Sequence, residues 1–263
     1  AEVKRWWSMV GKEWRGTWAL LAVAIAAVVA FDVWLGIKTA TWSLKHASEG
    51  IAVALSFIPL AGVAIATVVS GYLAMRSEWQ SHTSMRTLSY PMSGTELLTA
   101  KLAVIVLNLA LVTLVSVVGV WLVINRTPGL GEMVAHDPVF RAWIKTREFW
   151  TSAAWATISA ILGMSFMVAV GMFSFVIGTF VPRISGLIAV IVHVLVWYLC
   201  FSFGPHAMYI ASFLPNPKIV AFDSSRPVVG QIAVPLLPLW PTLAITAVLL
   251  LVAGKILESE VDA

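Results

Sequence analysis

Residues 153–181 read AAWATISAILGMSFMVAVGMFSFVIGTFV, and this stretch contains no charged side chain. A transmembrane helix needs about 20 consecutive apolar residues to cross the hydrocarbon core of a bilayer. The stretch is longer than this minimum, which favours a helix that is tilted or kinked in the membrane. Pro182 and Arg183 follow it directly and predict a very short turn into the next apolar run.

Further apolar stretches of similar length lie on both sides of this run. The predicted spans are residues 18–36, 51–75, 101–124, 153–181, 185–203 and 236–256. The composition agrees, because 60% of the residues are hydrophobic and only 11% are charged, whereas soluble domains carry about 25% charged residues. We therefore predict an all-α integral membrane protein with six transmembrane helices, making up a transmembrane domain over residues 18–256.

Basic and aromatic residues alternate before the first span. Trp7, Val10 and Trp14 recur there at helical spacing, which predicts an amphipathic interfacial helix over residues 1–17. The basic residues of this segment are Lys4, Arg5, Lys12 and Arg15. Their excess over the basic residues just after the first span favours a cytoplasmic N-terminus in the plasma membrane. An even number of spans then places the tail, residues 257–263, in the cytoplasm too. The net charge of +4 is too scattered to indicate nucleic-acid binding and fits contact with lipid headgroups.

This orientation predicts external loops at residues 37–50, 125–152 and 204–235. The segment before the sixth span is apolar but is broken by prolines at positions 205, 215, 217, 227, 235, 238 and 241. Its apolar pieces, residues 208–214 and 232–237, are too short to cross a bilayer. They predict a broken re-entrant segment of half-helices, and an ordinary structured external loop is the alternative.

Small residues recur every four positions in several spans, as at Ala22, Ala26 and Ala30 in the first and at Gly62 and Ala66 in the second. Such stripes allow helix backbones to approach closely in lipid, where no hydrophobic force drives helices together. They predict a tightly packed helix bundle.

The loop of residues 76–100 on the predicted inner side reads RSEWQSHTSMRTLSYPMSGTELLTA, and Lys101 follows it. Ser93 with Glu96 three residues later is typical of a capping box and predicts the start of the third long helix. Pro91 interrupts the chain before that cap. We therefore predict a short helix over about residues 79–88, a break, and then a new helix.

This pattern resembles the ABC-2-type exporter permease family. Members carry a Glu, a stretch ending in Gly-Thr, a Leu-Ser-x-Pro run, and then Glu-Leu-Leu with a following Lys. The matching residues are Glu78, Thr83, Leu88, Ser89, Pro91, Met92, Ser93, Glu96, Leu97, Leu98 and Lys101. Two positions depart from the family, because His82 and Gly94 stand where Gly and Arg are usual.

The resemblance implies that this loop contains a coupling helix, which docks on a separate ATP-binding subunit. The docking residues would be Glu78, Trp79, His82, Thr83, Met85, Arg86 and Leu88. Apolar anchors with a polar rim are the usual composition of such an interface. The resemblance further implies two ATP-binding subunits and a second permease copy, or a similar chain, around one translocation pathway.

The sequence contains no Gly-x-x-x-x-Gly-Lys-Ser/Thr phosphate loop and no hydrolase motif. We therefore expect a non-catalytic subunit that carries no cofactor or metal and relies on a partner for ATP hydrolysis. Its one cysteine, Cys200, excludes a disulfide within the chain.

Polar residues within spans are costly and often functional. The candidates for a translocation path are Asn108 in the third span and His193, Trp197 and Tyr198 in the fifth. For His193 the alternative is a neutral histidine bonded to a neighbouring helix. No Asp or Glu lies deep in a span, which argues against a proton-driven carrier.

The expected function is that of the permease subunit of an ATP-driven ABC exporter with an amphipathic or lipid-like cargo. The alternative is a membrane scaffold that transmits force to an external partner without transporting cargo. An ion-coupled carrier is a third possibility.

Overall fold

The computed structural model describes residues 2–41, 47–80, 93–127, 138–215, 217–221 and 232–261. The helices are α1 (Glu2–Thr41), α2 (Ala47–Ser56), α3 (Ile58–Gln80), α4 (Gly94–Arg126), α5 (Pro138–Trp143), α6 (Arg147–Thr179), α7 (Ser185–Ala211) and α8 (Leu239–Val261). A 3₁₀ turn, Pro182–Ile184, joins α6 to α7. Strands β1 (Lys218–Ala221) and β2 (Ile232–Pro235) form an antiparallel pair between α7 and α8.

Six helical stretches of the described chain are long and apolar enough to cross a membrane. They are Val3–Thr39, Gly50–Trp79, Gly94–Arg126, Arg147–Thr179, Pro182–Ala211 and Leu239–Ser259. Large apolar side chains such as Leu20, Val190 and Phe201 are exposed on the outside of the bundle, where lipid rather than water suits them. The predicted all-α integral membrane fold with six spans is confirmed.

The second span consists of two helices, α2 and α3, which meet at Phe57. Pro59 lies in the first turn of α3. Proline has no N–H to donate and is tolerated in the first turn of a helix, where that donor has no helical partner. The break therefore follows from the sequence.

Contacts between helices show that the spans alternate in direction. The helices α1 and α4 run parallel, because Trp6 contacts Thr99 and Thr17 contacts Asn108 farther along both helices. The helices α3 and α6 are also parallel, because Gly71 lies against Val168 and Trp79 against Phe175. The short turn after α6 makes α7 antiparallel to it.

This alternation brings the start of α1, the end of α3, the start of α4 and the end of α8 to one end of the bundle, here called the termini end. The backbone N–H of Gly94 at the start of α4 donates to Oε1 of Glu258 near the end of α8, at 2.7 Å. The start of α1 and the end of α8 therefore lie on the same side of the bundle. The cytoplasmic location of that side stays a prediction.

The core of the bundle joins α3, α4, α6 and α8. Fully buried members include Met75, Leu98, Met172 and Leu257. The backbones of α3 and α6 come very close at Gly71, where a Cβ atom would lie 2.1 Å from the carbonyl oxygen of Val168. The predicted tight packing is present at this crossing.

The structure differs from the predicted interfacial helix over residues 1–17. Residues 2–17 are the first turns of α1, a single helix of 40 residues that is about 60 Å long at 1.5 Å per residue. Met9 is buried against Leu97 and Ala100 of α4, so this segment lies along α4 rather than separately on the membrane. Nothing in α1 breaks the helix, since it contains no proline.

The predicted half-helices before the sixth span are also corrected. Residues 208–211 are the last turn of α7, which continues through Pro205, and residues 232–235 are strand β2. The segment is broken by its prolines as predicted, but its pieces form a helix end and a hairpin. Proline has no backbone N–H to donate within a helix, but it is tolerated on an edge strand, and Pro235 lies at the end of β2 opposite Lys218.

The predicted external loops are partly helical. The helix α2 begins inside the predicted loop 37–50, and α5 and the start of α6 lie inside the predicted loop 125–152. The side of the membrane on which these segments lie stays a prediction.

Candidate functional site

A buried lysine lies where α1, α3 and α4 meet at the termini end. The side chain of Lys101 is 3% exposed, and its Nζ lies 2.5 Å from Oε1 of Glu78 and 3.0 Å from Oε1 of Glu13. A buried charge is strongly unfavourable unless it is paired and hydrogen-bonded. The three residues, here called the Lys101 cluster, therefore hold three spans at a fixed mutual position.

The start of α4 is fixed by a second set of contacts. The capping box is confirmed, because Ser93 Oγ accepts from the N–H of Glu96 at 3.2 Å and Glu96 Oε2 accepts from the N–H of Ser93 at 3.1 Å. A Cβ atom on Gly94 would lie 2.3 Å from the carbonyl oxygen of Gly254. Gly94, which departs from the family pattern, is thus the residue that lets α4 and α8 touch.

The coupling-helix residues fall into two groups. Glu78 and Trp79 belong to the last turns of α3. The ring of Trp79 packs edge-on against the ring of Phe175 of α6, with the ring centroids 5.5 Å apart. Both side chains are partly buried and make contacts within the chain. His82, Thr83, Met85, Arg86 and Leu88 lie outside the described residues. The docking role of all seven residues stays a prediction, but the first two also stabilise the bundle.

The four candidate path residues do not form one site. Asn108 of α4 faces α1, and its Nδ2 donates to Thr17 Oγ1 at 3.0 Å. His193 and Trp197 lie one turn apart on α7, and Trp197 Nε1 donates to His193 Nε2 at 3.3 Å. The partner of His193 is therefore in its own helix rather than in a neighbouring one. Tyr198 is 65% exposed on the outside of the chain.

A cavity of about 890 Å³ opens between α3, α4, α6, α7 and α8. Representative lining residues are Val63, Thr113, Met167, Trp197, Cys200 and Ile245. Of the four candidate path residues, only Trp197 borders this cavity, which we call the apolar cleft. No sequence pattern predicts this cavity, because its walls come from five helices that are brought together only by folding.

The apolar cleft offers almost no hydrogen-bonding group to a ligand. The hydroxyls of Thr67, Thr113 and Thr242 each donate to the backbone carbonyl four residues earlier in the chain, at 2.7 Å. The indole N–H of Trp197 is taken by His193. A polar solute would lose its hydration here without compensation, so the cleft suits hydrocarbon.

An acidic side chain within the first span lies against α4. A Cβ atom on Gly119 would lie 1.9 Å from Asp32 Oδ2, so the glycine leaves room for the carboxylate. The other oxygen, Asp32 Oδ1, is buried and accepts no hydrogen bond from the described part of the chain. Buried polar atoms are nearly always paired, which makes Asp32 an exception.

Comparisons of the chain with protein-family models, with curated proteins and with solved structures find no match. The resemblance to ABC-2-type permeases therefore rests on the motif of residues 78–101 and on the six-span layout.

Proposed function

We propose that this chain is the transmembrane permease subunit of an ATP-driven exporter of the ABC-2 type. Separate ATP-binding subunits dock on the segment between α3 and α4, and a second copy or a similar chain completes the translocation pathway. The observation that carries the proposal is the anchoring of this segment. Both of its ends are fixed in the bundle, by Glu78 on one side and by Ser93 and Gly94 on the other.

This anchoring would distribute a force applied to the segment. A movement of the α3 end acts through Lys101 on α1 and α4, and through Trp79 and Phe175 on α6. A movement of the α4 end acts on α8 through Gly254 and Glu258. Close-packed helices move as rigid bodies rather than deforming, so nucleotide-driven closure of the docked subunits would shift the bundle as a whole.

Co-purification tests the docking surface. The chain is tagged and isolated in mild detergent from the membrane in which it is naturally made, and the ATPase activity that accompanies it is measured. Met85→Ala with Leu88→Ala removes two of the three predicted apolar anchors and leaves the third, Trp79, in place. Leu130→Ala with Met133→Ala is the matched control, because it removes the same two residue types at the same spacing in the predicted external loop.

We expect the first double variant to lose the accompanying ATPase and the control to keep it, since apolar anchors dominate the binding energy of an interface. Equal ATPase recovery with the wild-type chain and both variants would contradict the docking assignment.

The scaffold alternative has one observation in its favour. The β1–β2 strand pair is tied to the start of α8 by two hydrogen bonds. Trp240 Nε1 donates to the carbonyl oxygen of Pro215 at 3.0 Å. The N–H of Leu236 donates to the carbonyl oxygen of Pro217 at 3.0 Å. A movement of α8 would therefore reach a structured surface at the end opposite the termini. Vesicles separate the two functions: ATP-dependent change in vesicle contents supports the exporter, and ATP hydrolysis without such a change supports the scaffold.

A further inference from the structure

We propose that the apolar cleft is a binding site for the acyl chain of a bilayer phospholipid. This inference does not depend on an ATP-binding partner, because it concerns a cavity formed by five helices of one chain. It adds a lipid ligand to the proposed permease.

The position of the cleft places it at membrane depth. Its walls come from the first half of α3, the second half of α7 and the first half of α8, together with the middle of α4 and α6. These stretches belong to the six apolar spans. The cleft thus lies in the half of the bundle away from the Lys101 cluster, within the hydrocarbon layer.

The size of the cleft fits a ligand. Its volume of about 890 Å³ falls within the range of about 300–1,000 Å³ that is typical of small-molecule sites. An empty space of this size forfeits dispersion contacts along its walls. Water is a poor substitute, because it needs two to four polar partners and the threonine hydroxyls and the Trp197 indole are already bonded within the protein.

The shape of the walls favours a flexible chain over a second protein helix. The cavity is concave and partly open, and its walls are irregular because five helices of one chain contribute side chains to them. Two glycines leave additional room, because a Cβ atom on Gly163 or Gly204 would meet nothing within 4 Å. An unbranched acyl chain, which is the hydrocarbon that surrounds the protein, can follow such an irregular space.

Photo-crosslinking tests this site. The chain is reconstituted in phosphatidylcholine vesicles that contain a small fraction of phosphatidylcholine with a diazirine on one acyl chain, and crosslinked residues are located by mass spectrometry. Gly163→Leu fills the cleft from α6 without a clash in the backbone. Gly62→Leu is the matched control, because Gly62 is exposed on α3, has equally open surroundings and does not line the cleft.

We expect crosslinks at Met164 and Met167 in the wild-type chain and in Gly62→Leu, and their loss in Gly163→Leu. Crosslinks at Leu187 and Val190 on the outer face of α7 should be the same in all three chains, which controls for ordinary lipid contact. Absent crosslinks at the two methionines, or equal crosslinks there in Gly163→Leu, would overturn the proposal.

A second measurement uses the wild-type sequence and needs no variant. A nitroxide on Cys200, the single cysteine of the chain and a residue of the cleft wall, reports collisions with oxygen and with a water-soluble nickel chelate. High oxygen and low nickel accessibility support an acyl-filled cleft. High nickel accessibility would show a water-filled route, and low accessibility to both would show that protein from a second copy fills the space. Either of these results overturns the proposal.

Discussion

Lys101 Nζ lies 3.0 Å from Oε1 of Glu13, although a complete span separates the two residues in the chain. The pair ties the first turns of α1 to the start of α4, and Glu78 on α3 completes the cluster. Two carboxylates lie close to one ammonium group, so Lys101 offsets the repulsion between them. The cluster is therefore a structural joint between three helices, and it includes Glu78, a residue of the predicted coupling segment.

We expect Lys101→Met to destabilise the bundle. Removing one partner of a buried ion pair leaves an uncompensated charge, which costs about 3–5 kcal/mol in a dry interior. The loss should lie at the lower end of that range, because Glu13 and Glu78 are 18% exposed and keep some hydration. The thermal unfolding midpoint in detergent measures this loss.

Two further variants control the experiment. Lys255→Met removes an exposed lysine near the same end and should leave the midpoint unchanged. Combining Lys101→Met with Glu13→Gln and Glu78→Gln removes all three charges and should recover most of the loss. A midpoint for Lys101→Met equal to that of the wild-type chain would count against the cluster as a joint.

The contact between α4 and α8 predicts a size limit at Gly254. A Cβ atom there would lie 2.6 Å from the backbone nitrogen of Thr95, so Gly254→Ala must separate the two helices. Overpacking of this kind typically costs about 1–3 kcal/mol. The matched Gly163→Ala adds the same methyl group in open space and should be neutral or stabilising by up to about 1 kcal/mol. An unfolding midpoint for Gly254→Ala that equals or exceeds that of Gly163→Ala would refute this reasoning.

The unpaired carboxylate oxygen predicts that Asp32 weakens the fold. We expect Asp32→Ala to raise the unfolding midpoint, because a buried polar atom without a partner costs about 1–3 kcal/mol. We expect Gly119→Ala to lower the midpoint, and the combination with Asp32→Ala to restore it, since the alanine then occupies the space of the carboxylate. A lower midpoint for Asp32→Ala would show that Asp32 has a stabilising partner.

The hydrogen bond inside α7 predicts a local role for His193. We expect His193→Ala to lower stability by about 1 kcal/mol, because the indole N–H of Trp197 loses its acceptor. Trp197→Phe removes that donor, so His193→Ala should cost nothing further in the Trp197→Phe background. We expect transport to be little affected, and complete loss of transport at normal expression would assign His193 a direct role instead.

The alternation of the spans predicts which surfaces share one side of the membrane. In a Cys200→Ser background, cysteines at Ser77 and Ser259 should react with a membrane-impermeant thiol reagent from one side, and a cysteine at Leu214 from the other. All three positions are exposed in the structure. Labelling of Ser77→Cys and Ser259→Cys from opposite sides would contradict the arrangement of α3 and α8.

The number of spans and the cap of α4 could be predicted from the sequence. Each span depends on the transfer of one continuous apolar run into lipid, and the capping box joins residues only three apart. The small-residue stripes predicted less well which helix faces pack together. Ala22, Ala26 and Ala30 are exposed on α1, whereas the close crossing of α3 and α6 places Gly71, which lies outside the predicted stripes, against Gly171, which belongs to the predicted small-residue pattern of the fourth span. A helix that is apolar all round carries no periodic signal for the face that packs.

By itself, the sequence determined a six-span α-helical membrane protein with a helix start at Ser93, because both properties are local to a short stretch of chain. Only the tertiary structure decided that Lys101 pairs with Glu13 and Glu78, that Trp79 packs on α6, and that five helices line the apolar cleft. These contacts depend on which spans are neighbours and on how each is rotated about its axis. Lipid solvates every apolar face equally well, so the partners are selected by close packing and by the pairing of a few polar groups.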